Sequence, residues 1–393
     1  MDSLENINVV LLQPLFSGIM GFLLIYISIP ILIKVAYLKD LYDKPDNERK
    51  VHRNYIPTLG GVGIFIAFFL AFSLSGYAEQ FTAYPYLAGG LMALFFCGLK
   101  DDLIGLSPAK KLSVEILAIL LLIYGSGTVI DNLYGVFGVY EIPYAAGVLL
   151  TVFTMIVVIN AYNLIDGIDG LAAGIGGIAS VFFGVGFWVG NEMALAVMCL
   201  LLTVVLCAYL LHNFHPANIF MGDTGSLVIG FLLAVMTVFF VQLNEAPGFV
   251  AYFGEASPIL PVAFLALPLY DTLRVFVRRM LRGASPFTPD SDHIHHVLMK
   301  LGWGQRKAVV YLYMASILII CIGIVSSQLG VNIALTAIIA STLVFFPTFG
   351  FKRKLFKAIG LDLSALFHSE EEMELYAHLN SPKRKAEEQA EEV

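Results

Sequence analysis

The segment from Asn160 to Gly174, NAYNLIDGIDGLAAG, carries two carboxylates three residues apart, Asp166 and Asp169, each followed by a glycine. An apolar run ends just before it at Ile159, and a second run rich in Gly and Ala follows. Glycine lets backbone turn tightly and approach a ligand closely, and Asn163 adds an amide donor and acceptor. A loop that only reversed the chain would need one or two such residues. The repeated D-G-x-D-G therefore reads as a ligand-binding turn at the mouth of a hydrophobic segment.

Four other polar stretches carry residues of similar promise. In LKDDLIGLSPAKKL, the adjacent Asp101 and Asp102 repel each other unless a cation sits beside them, and Lys110 and Lys111 follow. In HNFHPANIFMGDTGSL, Asp223 stands where it could cap a helix. Capping explains Asp223 but not Asn213, His215 and Asn218 upstream, while Phe220 is either an aromatic face for a base or core. In the stretch ending DSDHIHHVLMK, His293, His295 and His296 form H-x-H-H. No cysteine accompanies them, and the nearby acids prefer a hard cation such as Mg²⁺; histidines and arginines there suit phosphate. In KPDNERKVHRNYIPTLGG, Lys50, His52 and Arg53 precede a glycine-rich helix start. That is an anion site or the ordinary basic flank of a membrane helix.

The elements that position these loops are set by composition. Of 393 residues, 58% are hydrophobic and only 13% charged, against about 25% charged in soluble domains. The chain reads as an all-α polytopic membrane protein. Runs of about 20 apolar residues span a bilayer as helices, and eleven are expected, near 13–36, 59–77, 84–99, 111–130, 145–162, 171–190, 193–211, 224–243, 257–277, 308–328 and 332–350. Residues 1–350 would form one transmembrane domain and 351–393 a polar tail. The four cysteines have neither metal nor redox spacing, and the acidic start lacks the basic residues of a signal peptide. Nothing in the charge pattern argues for nucleic acid.

Lys and Arg outside the apolar runs fall in alternate connections only, after the first, third, fifth, seventh, ninth and eleventh runs. Basic loops stay cytoplasmic, so the N-terminus is expected outside and the C-terminus in the cytoplasm. All eight histidines, Asp101, Asp102, Asp166, Asp169 and Asp223 share that cytoplasmic side. A transporter of nucleotide sugars or lipid phosphates would bind similar ligands, but transporters place ionisable groups near the midplane on broken helices. Groups gathered at one face suit an enzyme working at the membrane surface.

Taken together, KDDLIGLSPAKKL, NAYNLIDGIDGLAAG, NIFMGDTGSL and DSDHIHH resemble the motifs of the polyprenyl-phosphate N-acetylhexosamine-1-phosphate transferase family, in order and spacing, over about residues 13–350. Ile294 interrupts the histidine run, which is more like the GlcNAc-1-phosphate branch than the MurNAc-pentapeptide branch with its three consecutive histidines. The resemblance implies a bacterial inner-membrane enzyme that passes GlcNAc-1-phosphate from UDP-GlcNAc to undecaprenyl phosphate and releases UMP. Other UDP-N-acetylhexosamines, UDP-MurNAc-pentapeptide and the surface polysaccharide served, O-antigen and lipopolysaccharide among the choices, stay open, as does a homodimer. It implies Mg²⁺, with Mn²⁺ as the alternative, held by Asp223 with Asp102 as a second candidate ligand. Asp101 and Asp102 would face the lipid phosphate, so that the catalytic set is Asp101, Asp102 and Asp223. Asn163, Asp166, Asp169, Asn213 and Phe220 would hold the nucleotide, and Lys50, Lys111, His293, His295 and His296 the phosphate and sugar. Gly105 stands where some relatives complete a DDxxD, so that motif's metal reading is not carried over.

Overall fold

The computed structural model describes residues 2–39, 56–245, 249–281, 293–300 and 302–346. The expected tail at 351–393 and Lys50 lie outside the described residues. In chain order the elements are α1 (Asp2–Leu38), α2 (Gly60–Ser73), α3 (Tyr84–Ile104), α4 (Pro108–Ser126), β1 (Asn132–Val136), β2 (Val139–Glu141), α5 (Tyr144–Leu164), α6 (Leu171–Val189), α7 (Met193–Asn213) and α8 (Gly222–Gln242). There follow α9 (Phe249–Phe253), α10 (Leu260–Phe264), α11 (Ala266–Leu281), α12 (Ile294–Lys300), α13 (Gln305–Ser326) and α14 (Val331–Phe345). Every one of the eleven expected runs holds helix. Among the described residues six helices are long and apolar enough to cross a membrane, and α10 with α11 would make a seventh if a pair bent by 69° counts as one span. The protein is therefore a multi-pass membrane protein.

Charge and length explain why other runs fall short of that test. The last turns of α3 carry Lys100, Asp101 and Asp102, and α4 carries Lys110, Lys111 and Glu115. Site residues thus dilute the apolar character of the helices that present them. The helices α2 and α14 have only 14 and 15 residues.

The organising element is α8, apolar on every side from Leu227 onward and buried along nearly its whole length. A helix of that kind belongs at the centre of a bundle, and α2, α3, α5 and α6 pack around it. Its N-terminus is fixed by unusually close backbone crossings. Gly61 meets Gly225 so closely that a Cβ on Gly61 would sit 2.1 Å from the Gly225 nitrogen. Gly60 N–H donates to Phe220 O at 2.9 Å, and Gly61 N–H to Met221 O at 2.8 Å. Asp223 therefore stands on a rigid platform, with the ends of α3, α4 and α5 beside it.

The split between α6 and α7 falls at Gly190-Asn191-Glu192 as expected, with Asn191 at φ 62. One element was unforeseen, the hairpin β1–β2, antiparallel around Phe137-Gly138. It is tied to α14 through Asn332, whose side-chain oxygen accepts from Phe137 N–H at 3.0 Å.

Candidate active site

Four helix ends bring one charged group together. Lys111, in the first turn of α4, places Nζ 2.6 Å from Asp223 Oδ2 and 3.3 Å from Asp101 Oδ2. Asn163, in the last turn of α5, donates to Asp223 Oδ1 at 2.8 Å and to Ser226 Oγ at 2.6 Å. Asp101 also shares a hydrogen bond with Asp223, and that bond together with burial raises its carboxyl above the usual range, burial being the larger cause. Two carboxylates this close hold one proton or one cation between them, and here an ammonium bridges them.

Asp102 points elsewhere. Its Oδ1 accepts from Asp223 N–H at 2.7 Å, and its Oδ2 from Thr224 N–H at 2.9 Å and Thr224 Oγ1 at 2.5 Å. Both oxygens are thus spent on the first turn of α8, whose N–H groups have no partner within the helix. Asp102 serves there as the cap supplied from α3 rather than as an open ligand for metal or lipid phosphate. Burial pushes it up to about 6, against those hydrogen bonds. Gly222 makes this possible: at φ +69 it adopts a left-handed turn, and a Cβ there would lie 2.7 Å from Asp102 Oδ2.

Asp166 lies next to this group. The Gly222 N–H bonds to it, and burial, then the charges of Asp223, Asp102 and Asp169, push it up to about 7. So many acids around one helix N-terminus form a site that a cation would relieve. Among the described residues no three His, Cys, Asp or Glu side chains converge into a complete metal cage. Mg²⁺ in general is held through one or two carboxylates plus waters and substrate phosphates. Asp223 and Asp101, with Asp166 adjacent, are the oxygens that could hold such an ion.

The far end of the D-G-I-D-G loop is built differently. Asp169 Oδ2 pairs with His215 Nδ1 at 2.6 Å and accepts from Ala217 N–H at 3.0 Å. Asn213 uses its whole amide on backbone, accepting from Gly170 N–H at 3.0 Å and donating to Ile219 O at 2.8 Å. Asn213 is buried and ties the loop after α5 to the loop before α8, a positioning task rather than an open nucleotide contact. Phe220 is half-buried, its N–H bonded to Pro57 O at 2.7 Å.

The histidine segment packs on the same loop. His295 lies against Gly167, where a Cβ would meet its Cε1 and Nε2 at 2.5 Å. Both of its ring nitrogens are buried without a hydrogen-bond partner, and burial, with His296 next, pushes it down to about 3. His295 is therefore a neutral imidazole. The His296 ring sits tilted beside it with centroids 4.3 Å apart. His293 is anchored from behind by Asp271 on α11, Nδ1 to Oδ2 at 2.9 Å, while Asp271 Oδ1 takes Ile294 N–H at 2.9 Å.

Of the expected residues, Asp101, Asp102, Lys111, Asn163, Asp166 and Asp223 come together at one point. Asp169 and Asn213 flank one side and the three histidines another. Two participants went unread in the sequence, Asp271 and Glu115, and a third, His215, was noted there without a role. Asp271 sits in an apolar run, His215 lacked a partner until Asp169 was placed, and Glu115 bonds Asn160 Nδ2 at 2.6 Å across 45 residues. Asp271 and Glu115 had no local signal beyond an acid in an apolar helix, which in membrane proteins marks function.

Comparison with known proteins gives the family. The profile of glycosyl transferase family 4 matches residues 84–241, from α3 through α8. The chain is 33% identical over 305 residues to the undecaprenyl-phosphate α-N-acetylglucosaminyl 1-phosphate transferase of Yersinia pestis, covering 75% of this chain and 80% of that protein. It is 32% identical to the protein of the same name from Escherichia coli strain K12, over 75% of this chain and 78% of the relative. With the Salmonella typhi protein of that name it shares 31% identity over 80% of this chain and 84% of the relative. On these likenesses the chain belongs to the polyprenyl-phosphate N-acetylhexosamine-1-phosphate transferase family and is a sugar-phosphate transferase.

Proposed function

We propose that the enzyme transfers GlcNAc-1-phosphate from UDP-GlcNAc to undecaprenyl phosphate, releasing UMP, at the cytoplasmic face of a bacterial inner membrane. The observation that carries this reading is the convergence of Lys111, Asn163 and Asp101 on Asp223 at the buried start of α8. The names of the relatives support the acceptor and the sugar. The one-sided Lys and Arg pattern supports eleven crossings with the N-terminus outside, the short α2 and α14 and the bent α10–α11 pair included.

A phosphate monoester has a second pKa near 6, so the lipid phosphate is largely a dianion at neutral pH and needs little base. An oxygen of that phosphate attacks the β-phosphorus of the donor, and the bond from that phosphorus to the bridging oxygen breaks, freeing UMP. What the reaction needs is relief of repulsion between acceptor and pyrophosphate. Lys111 supplies one fixed positive charge, and Asn163 holds Asp223 in place. Mg²⁺ bound at Asp223 and Asp101 would neutralise further phosphate charge. Asp102 keeps the start of α8 aligned, so that Asp223 does not drift. A single displacement follows, with no covalent phospho-aspartate.

The test is UMP release by purified protein given undecaprenyl phosphate and a panel of UDP-sugars. UDP-GlcNAc should be turned over fastest, and release without lipid phosphate should be negligible. Ligand binding with no UMP from any donor would favour a transporter and end this proposal.

A further inference from the structure

We propose that His215 contacts the nucleoside end of the donor, and that Asp169 is a positioning residue acting through it. This rests on the UDP-sugar reading above. The carboxylate side chain of Asp169 has no exposed surface, whereas that of His215 is 34% exposed. A ligand arriving from the cytoplasm therefore meets the imidazole and not the acid.

His215 is held at ring and backbone. Asp169 fixes Nδ1 at 2.6 Å, and Arg306 Nε, from the first turn of α13, donates to the His215 backbone carbonyl at 2.8 Å. With Nδ1 committed, Nε2 is the nitrogen left to meet a ligand. A histidine tethered at ring and backbone yet open on one edge resembles the carboxylate-oriented histidines of metal and catalytic sites, where the buried acid sets tautomer and aim.

Location selects the part of the donor. The D-G-I-D-G loop has the reacting-phosphate cluster at its Asn163 end, the histidine segment against Gly167 in its middle, and the Asp169–His215 pair at its far end. A donor with its β-phosphorus near Asp223 has its nucleoside some distance along this loop. The connection that carries His215 also carries Phe220, and bases pack readily on aromatic rings. Nε2 thus meets the base or ribose of the nucleotide.

The test uses full-length protein in detergent with Mg²⁺ and UMP as probe, by calorimetry. His215→Ala should weaken UMP binding about tenfold, the loss of one hydrogen bond at a half-desolvated site, and raise KM for the donor more than it lowers kcat. Asp169→Asn should have a similar effect, and the double variant should be no worse than either single, the signature of one path. His215→Gln, which carries an amide to the Nε2 position, should recover most of the affinity, a rescue that a merely structural role would not give. Unchanged UMP affinity in His215→Ala, or additive losses in the double variant, would overturn the assignment while leaving the transferase reading intact. A wild-type protein that neither binds nor releases UMP would overturn both.

Discussion

Lys111 offers the sharpest perturbation, because it bridges two carboxylates that otherwise face each other. At an effective dielectric of about 20 an ion pair at 2.6 Å is worth about 6 kcal/mol before desolvation is subtracted. The Asp223 side chain is 35% exposed, so solvent screening and the cost of taking the ammonium from water bring the net value to about 2–3 kcal/mol. In Lys111→Met that charge is missing when negative charge gathers on the transferring phosphorus. Turnover should fall roughly 30- to 150-fold. A second consequence runs the other way. Without the ammonium, Asp101 and Asp223 repel each other, and a divalent cation relieves that repulsion better than before. The Mg²⁺ concentration for half-maximal rate should therefore drop in Lys111→Met even as the maximal rate collapses. The assay is UMP release across a Mg²⁺ titration at saturating UDP-GlcNAc and undecaprenyl phosphate. Near-normal turnover, or a half-maximal Mg²⁺ concentration that stays the same or rises, would refute the claim that Lys111 and the cation neutralise the same carboxylates.

Other expectations follow from the same geometry. Asp166 is pushed up to about 7 from 3.8, so the folded protein keeps a proton that the unfolded chain has released. That contribution is complete below about pH 4 and is lost as pH rises to 7, at most about 4 kcal/mol. Thermal unfolding in EDTA should thus show declining stability between pH 5 and pH 8, and Asp166→Asn should flatten the decline; an unchanged slope would exclude Asp166 as its source. Gly167→Ala would drive a Cβ into the His295 ring, and the resulting shift of the histidine segment should cut turnover by roughly a hundredfold, with nucleotide-free stability lowered by about 1–3 kcal/mol. Wild-type kinetics in that variant would mean that the segment tolerates displacement. Cysteines at Glu141 and Lys110, both exposed, should react oppositely with an impermeant thiol reagent added outside cells, Glu141→Cys labelling and Lys110→Cys not. Labelling of both, or of Lys110→Cys alone, would reverse or remove the proposed orientation.

What could be read beforehand was the part governed by composition and local pattern. Apolar runs located every long helix, because a helix in lipid must satisfy its own backbone and so announces itself by hydropathy. The D-G-I-D-G loop, Asp101-Asp102 and Asp223 were legible because acids at the ends of apolar runs are costly without a purpose. Which acid did what was not. Asp101 and Asp102 are neighbours in sequence, yet helical geometry turns one toward Lys111 and Asp223 and the other toward the backbone of α8. Asp169 looked like Asp166, but its partner is His215, 46 residues away. Asp271 lay in an apolar run with its histidine 22 residues downstream. Pairings of that kind depend on how helices pack, and no local spacing encodes them. The hairpin β1–β2 escaped for a related reason, since its tether to Asn332 is 195 residues distant.

The account stands most directly on Asp223. Asp223→Asn keeps the shape of the side chain and its place in the first turn of α8, still capped by Asp102, while removing the charge on which Lys111, Asn163 and the metal converge. UMP release from UDP-GlcNAc and undecaprenyl phosphate by the folded variant should be abolished at every Mg²⁺ concentration. Turnover near the wild-type rate would contradict the account, because Asp223 would then be no more than part of the start of a helix.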